Sequence, residues 1–236
     1  MKGLKTIIGV LCASMLISSC NNTGKGAAIG AASGTAAGAG IGALIGKLTG
    51  NTGKGAIIGT AVGAAVGTTA GTLIGRKMDK AAAAAKAVAN AEVETTTDAN
   101  GLEAVKVTFD NGILFATGKS NLQSAAMTSL RQFATNVLNV YTDCDVAIYG
   151  YASSDGSEAT NLTLSQNRAK AVTNYLTGNC GVSSSQIKAT EGYGEDPNYL
   201  IYKADGTEDM AASRRVEVYL YASEAMINAA NNGTLK

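Results

Sequence analysis

The chain has 236 residues and a formal charge of +1, with 19 Lys and Arg set against 18 Asp and Glu. It contains no histidine, so it lacks the commonest general base, the side chain poised near neutral pH and the commonest metal ligand. No metal or cofactor is therefore expected, most familiar catalytic constellations are excluded, and the near balance of charge leaves no phosphate-binding footprint for nucleic acid.

Lys2 and Lys5 precede an apolar run over 6–17, and Ser18, Ser19 and Cys20 follow at once. A charged start, an apolar stretch of signal length and small residues at the cut make 1–19 a secretory signal. The run is too short to span a bilayer as an ordinary helix. "LISSC" resembles the bacterial lipobox, in which the cysteine is acylated and becomes the first residue of the mature chain. The resemblance implies lipidation at Cys20 and fixation to a membrane. By resemblance to enterobacterial sorting, Asn21 in the next position favours the outer membrane.

Gly and Ala crowd the first 90 residues, and every Tyr and Phe lies beyond residue 100. Within the small-residue half, 22–47 aligns without gaps to 51–76, with 16 of 26 positions identical. In each copy glycine recurs every fourth residue, from Gly26 to Gly46 and from Gly55 to Gly75, which on a helix draws one glycine stripe. Each interior glycine costs about 1 kcal/mol relative to Ala, so an isolated helix of this kind fails in water. Close small-xxx-small packing within a bilayer offsets that cost, and an uncharged stretch of 21 residues is about 31 Å long as a helix. Lys25 and Lys47 bracket one copy, Lys54 and Arg76 the other, as interfacial cations would. The reading is a membrane-associated glycine-zipper hairpin over 20–77, turning at 48–53; a soluble Gly/Ala-rich spacer is the alternative. The apparent phosphate motifs are decoys, since Ile41 and Leu48 stand where a P-loop needs glycine.

Residues 78–100 read as an Ala-rich helical linker, stopped by "TTTDANG". A domain is then expected over 101–223, with a tail over 224–236. Within the domain, 102–109 alternates as a strand, Asp110-Asn111-Gly112 reads as a hairpin turn, and 113–116 resumes the apolar run. A helix is predicted over 121–141, a strand over 145–151, a helix over 160–176 ended by Gly178, and strands over 187–194 and 215–221. The order βαβαβ, a longer excursion and a last β predicts an α+β two-layer domain, a mixed sheet with helices on one face.

"FATGKSNL", "LSQNRAKAVTNYL", "GYGEDP" and "SRRVEVYL" occur in the order and spacing of the OmpA-like peptidoglycan-binding domain, which this chain resembles over roughly 102–222. With a lipobox and a glycine zipper ahead of it, the whole is similar to the zipper-bearing outer-membrane lipoproteins of that family. The resemblance implies peptidoglycan and a membrane as partners.

On the second helix Asn161, Leu164, Ser165 and Arg168 share one face. Arg168 offers a planar fork of donors suited to a carboxylate, and Asn161 adds polar capacity near the positive end of the helix. In the family, this Asn and Arg, with an aspartate three residues after the glycine that ends the second strand, bind the diaminopimelate residue of the stem peptide. That aspartate position holds Ser153 here. Asp155 and Glu158 are the candidates to replace the missing charge, Asp155 being the expected substitute, with a neutral hydrogen bond from Ser153 the alternative. Arg214 and Arg215 stand at the family's Arg pair; one is expected in the cleft and the other in a salt bridge. Tyr151 and Tyr193 are either walls of the same cleft or half-buried strand aromatics.

Cys144 and Cys180 precede the second and third strands, which a parallel crossover brings to one end of the sheet. They are expected as a disulfide pair or as two free thiols, and not as a zinc site. The expected function is non-enzymatic anchoring of the outer membrane to the wall. The alternative is a homo-oligomeric zipper pore or scaffold, tethered by the wall-binding domain.

Overall fold

The structure is a computed structural model and describes residues 66–98 and 100–235. Cys20, the signal and the first zipper copy lie outside the described residues.

Five strands form one sheet in the order β1-β2-β5-β3-β4. They are β1 (Ala91–Thr97), β2 (Glu103–Asp110), β3 (Cys144–Tyr151), β4 (Ile187–Gly192) and β5 (Arg215–Ala222). Only β3 and β4 pair in parallel; β5 is antiparallel to both β2 and β3. The C-terminal ends of β2, β3 and β4 and the start of β5 therefore meet at one end of the sheet. In β2 the residues Val105, Val107 and Phe109 are fully buried on one face, as a period of two dictates.

Helices α1 (Thr68–Lys86), α2 (Asn111–Leu114), α3 (Ser124–Phe133), α4 (Glu158–Asn179) and, after the short α5 (Met210–Ser213) that leads into β5, α6 (Glu224–Asn231) complete the chain order, and all but α5 add residues to the core on that face. One core contains Ile74, Met78, Leu130, Phe133, Val146, Ile148, Val172 and Ile227. The opposite face carries Tyr149 and Tyr151, with Tyr193, Tyr199, Tyr219 and Tyr221 packed around them. The two-layer α+β plan is thus as expected. Among the described residues no helix is long and apolar enough to cross a membrane.

Several local expectations are corrected. The second zipper copy does not end outside the domain: α1 takes up its last residues and buries Ala70, Gly71, Ile74, Gly75 and Met78. The same small-residue face that suits a bilayer suits close approach to a sheet. The 78–100 segment is not a helical linker, because α1 ends at Lys86 and 91–97 is the edge strand β1, in which Glu94 pairs with Lys106 of β2 at 2.6 Å. Asn90, at φ 61, makes the reversal between them; Asn tolerates this left-handed conformation better than most residues.

The hairpin lies between β1 and β2, where Asp98 accepts the N–H groups of Asn100 and Leu102. At 110–114 there is no turn; Asp110 caps the short α2, and Leu114 and Phe115 tuck into the core. Helix α3 continues into a wider five-residue turn, Ala134–Leu138, closed by Asn139 N–H on the Ala134 carbonyl. Helix α4 runs past Gly178 to Asn179, and the left-handed residue after it is Gly181. The 224–236 segment is not a plain tail, since Met226, Ile227 and Ala230 of α6 join the core.

Cys144 and Cys180 are free thiols. Cys144 starts β3 beside Tyr141, Asp143 and Lys77, whereas Cys180 caps α4 near Tyr175 and Arg131. The two sulfurs face different surroundings. Burial pushes the Cys144 thiol up to about 12, so it is inert as a nucleophile.

Candidate functional site

The N-terminal half of α4 sits on the ends of the parallel pair because two glycines make room for it. Gly150 of β3 and Gly192 of β4 are cross-strand neighbours. A Cβ on Gly150 would lie 2.2 Å from the Ser165 carbonyl oxygen, and one on Gly192 would lie 2.1 Å from Gln166 N. The helix backbone therefore rests directly on the sheet, which brings Asn161, Ser165 and Arg168 to the junction of β3, β4 and β5.

Ser157 caps α4 by accepting Thr160 N–H, with Glu158 in the first turn. This places Asn161 where its side chain reaches the preceding loop. Asn161 is buried; its Nδ2 donates to the Ser153 carbonyl at 3.1 Å, the Asp155 carbonyl at 3.0 Å and Glu195 Oε2 at 2.5 Å. Ser165 Oγ accepts Gly194 N–H, and the Gly194 carbonyl accepts Ala152 N–H. Gly194 has φ 58, and a Cβ there would press on the Leu162 backbone at 3.0 Å. The loop after β4 is thus stitched to both β3 and α4.

Arg168 is only 2% exposed. Its Nε donates to the Lys119 carbonyl at 3.0 Å, and its guanidinium lies over the Phe115 ring at 5.4 Å. This explains "FATGKSNL": Phe115 supplies the ring, and the tight turn through Gly118, at φ 67, presents the Lys119 carbonyl. Arg214, immediately before β5, donates from Nη1 to Ser153 Oγ at 3.3 Å. Burial first, and then the positive charge of Arg214, lower the pKa of Arg168; it remains a cation at neutral pH. Among the described residues neither Arg168 nor Arg214 forms an ion pair.

The sequence-predicted residues separate on this geometry. Asn161, Ser153, Arg168 and Arg214 come together. Arg215 does not join them: its Nε pairs with Glu217 at 2.7 Å and its guanidinium stacks on Tyr151 at 4.0 Å, on the open face of the sheet. Adjacent strand residues point to opposite faces, which assigns the strand-start salt bridge to Arg215 and leaves Arg214 at the cleft. Tyr151 and Tyr193 stack on each other on that open face, 5.7 Å apart, and do not wall the cleft. The Asp155 side chain is exposed, and its contribution to the network is its main-chain carbonyl.

Two acids near the site were not singled out from the sequence. Glu208 accepts Ser154 N–H through both carboxylate oxygens and also takes the Ser154 hydroxyl. Glu195 is the partner of Asn161. Glu195 lies in "GYGEDP" and could have been found there; Glu208, in the excursion between β4 and β5, carries no signal of its own.

Residues 114–214, which span every part of this site, match the OmpA family. Over that span the chain is similar to the OmpA family. A second match, to the glycine zipper, covers 33–82 and so runs into α1. Outer membrane protein P5 of Haemophilus influenzae is 34% identical over 134 residues, 56% of this chain and 36% of that protein. The Escherichia coli protein named "Probable lipoprotein YiaD" is 34% identical over 110 residues, 47% of this chain and 48% of that protein. The chain thus spans between a third and a half of the length of these curated relatives. Among solved structures, the cell wall anchor of the T6SS from Pseudomonas aeruginosa superposes with a TM-score of 0.47 at 22% identity, covering 62% of this chain and 97% of that one.

Proposed function

We propose that this OmpA-like domain binds the carboxylate of a peptidoglycan stem peptide non-covalently, and that the protein anchors the outer membrane to the cell wall without catalysing a reaction. The observation that carries the reading is that Arg168 and Arg214, close enough for the charge of one to act on the other, have no counter-ion from the described residues. A buried cation without a carboxylate costs several kcal/mol, and an anionic ligand offsets that cost. Arg214, half-buried, is the cation that a ligand meets first, and Arg168 stands behind it, braced by Phe115 and Lys119. The resemblance to OmpA-like peptidoglycan-binding domains supplies the ligand class, the diaminopimelate carboxylate.

On this reading Cys20 carries the lipid and the domain faces the periplasm. A zipper oligomer or pore remains outside the proposal, since nothing among the described residues favours it. The test is a pull-down of the purified full-length protein on isolated sacculi, with and without free diaminopimelate. Arg168→Ala and Arg214→Ala are each expected to lower retention by about tenfold or more, as for the loss of a charge-assisted bond. Retention unchanged by both substitutions, and by the competitor, would refute the reading.

A further inference from the structure

We propose that Glu195 receives the ammonium group of the ligand, in place of the carboxylate that position 153 lacks; this rests on the wall-binding reading above. An amino acid ligand is zwitterionic, so a site built only of Arg168, Arg214 and a neutral Ser153 would satisfy one end of it. An acid close to Ser153 with a free oxygen is needed for the other.

The acids around the cleft can be taken in turn. Asp155 and Glu158 are exposed, and no side-chain bond holds the Asp155 carboxylate toward the site. Glu208 spends both carboxylate oxygens on Ser154 and so fixes the loop. Asp209 caps α5 by accepting the N–H groups of Ala211 and Ala212. Asp196 accepts from Asn198.

Glu195 differs from all of these. It is half-buried, one oxygen is held by Asn161 Nδ2, and the other makes no hydrogen bond with the described residues. The same Nδ2 donates to the Ser153 carbonyl, so Glu195 and Ser153 are separated by a single amide group. The backbone beside it is fixed, through Gly194, to Ser165 and Ala152. Two cations, one of them bonded to the Ser153 hydroxyl, and one carboxylate, joined to the Ser153 carbonyl through Asn161, thus meet near that residue, a layout for an amino-carboxylate end group.

The test uses the full-length protein and two soluble stem peptides, one ending in diaminopimelate and one in which the side-chain amino group of that residue is replaced by hydrogen. The wild type should bind the amino peptide about 10- to 100-fold more tightly, the range for a hydrogen bond between charged groups. Glu195→Gln keeps an acceptor for Asn161 and removes the charge; it should abolish that preference, with the loss falling on the amino peptide. Asp155→Asn should keep the preference. The inference is overturned if the wild type shows no preference, if Glu195→Gln retains it, if Asp155→Asn removes it, or if Glu195→Gln weakens both peptides equally. If Arg168→Ala leaves both peptides unaffected, the wall-binding reading itself fails. Loss of both peptides in Arg168→Ala with an unchanged preference in Glu195→Gln defeats only the assignment of Glu195.

Discussion

Gly192→Ala is a change of one methyl group with a large expected effect. Gly192 has no left-handed backbone to strain, so the whole cost comes from close approach. The new Cβ would lie 2.1 Å from Gln166 N, 2.5 Å from Gln166 Cα and 2.6 Å from the Ser165 carbonyl carbon. Nonbonded carbon contacts sit near 3.5–4.0 Å, so α4 must back away from β4 by roughly 1 Å or more. The contacts are to backbone, and no rotamer change can relieve them. Overpacking of this kind costs about 1–3 kcal/mol, and the rigid backbone places this case at the upper end. For a domain of this size, that is a fall in Tm of about 4–10 °C.

Because α4 also carries Asn161 and Arg168, the shift should weaken sacculus binding by more than stability alone explains, measured at a temperature where the variant is fully folded. Calorimetry and a pull-down on the same preparation provide both readings. A Gly192→Ala protein with unchanged Tm and unchanged binding would refute the argument that the helix rests directly on the sheet.

Asp98 provides a pH test. It is 2% exposed, and burial, against the bonds from Leu102 and Asn100, raises its carboxyl from 3.8 to about 6. The folded state therefore favours the protonated form: the contribution is full below about pH 4 and is lost as pH rises through 6, by roughly 3 kcal/mol. Asp98→Asn should gain on the wild type by about 1–3 kcal/mol between pH 4 and pH 7.5 in urea unfolding; a difference independent of pH would refute it. Ile74→Ala and Met78→Ala, both fully buried on α1, should each cost about 2–5 kcal/mol. Unchanged stability in both would mean that α1 is not part of the domain core. Arg215→Ala removes the partner of a buried Glu217. It should lower stability by about 3–5 kcal/mol yet leave wall binding intact at low temperature, the reverse of the balance expected for Arg214→Ala.

The parts of the fold that were legible in the sequence are those with a local cause. The alternation in β2, the amphipathic spacing of α3 and the helix face that unites Asn161, Ser165 and Arg168 follow from period alone. What failed did so because tertiary context decided it. Residues 91–97 become a strand only because β2 offers an edge, and the glycine and alanine face of 68–86 reads equally well for a bilayer and for a sheet. Asp110-Asn111-Gly112 is a sound turn signal overruled by the burial of Leu114 and Phe115. At the site, Arg168 and Asn161 were visible as a helix face. Choosing Arg214 over Arg215 required knowledge of which strand residue points to which face. Glu195 is 27 residues from Arg168 in the chain, and only the close approach at Gly194 brings it in.

Folding α1 and β1 into the domain also sets the protein's reach. As a flexible spacer, the 23 residues from 78 to 100 would have spanned about 25–30 Å in the root mean square. Nine of them instead complete α1 and seven form β1, so this stretch supplies almost no slack. Under the anchoring role proposed above, tension between membrane and wall would pass from the ligand through α4 and the sheet into α1 as one solid body.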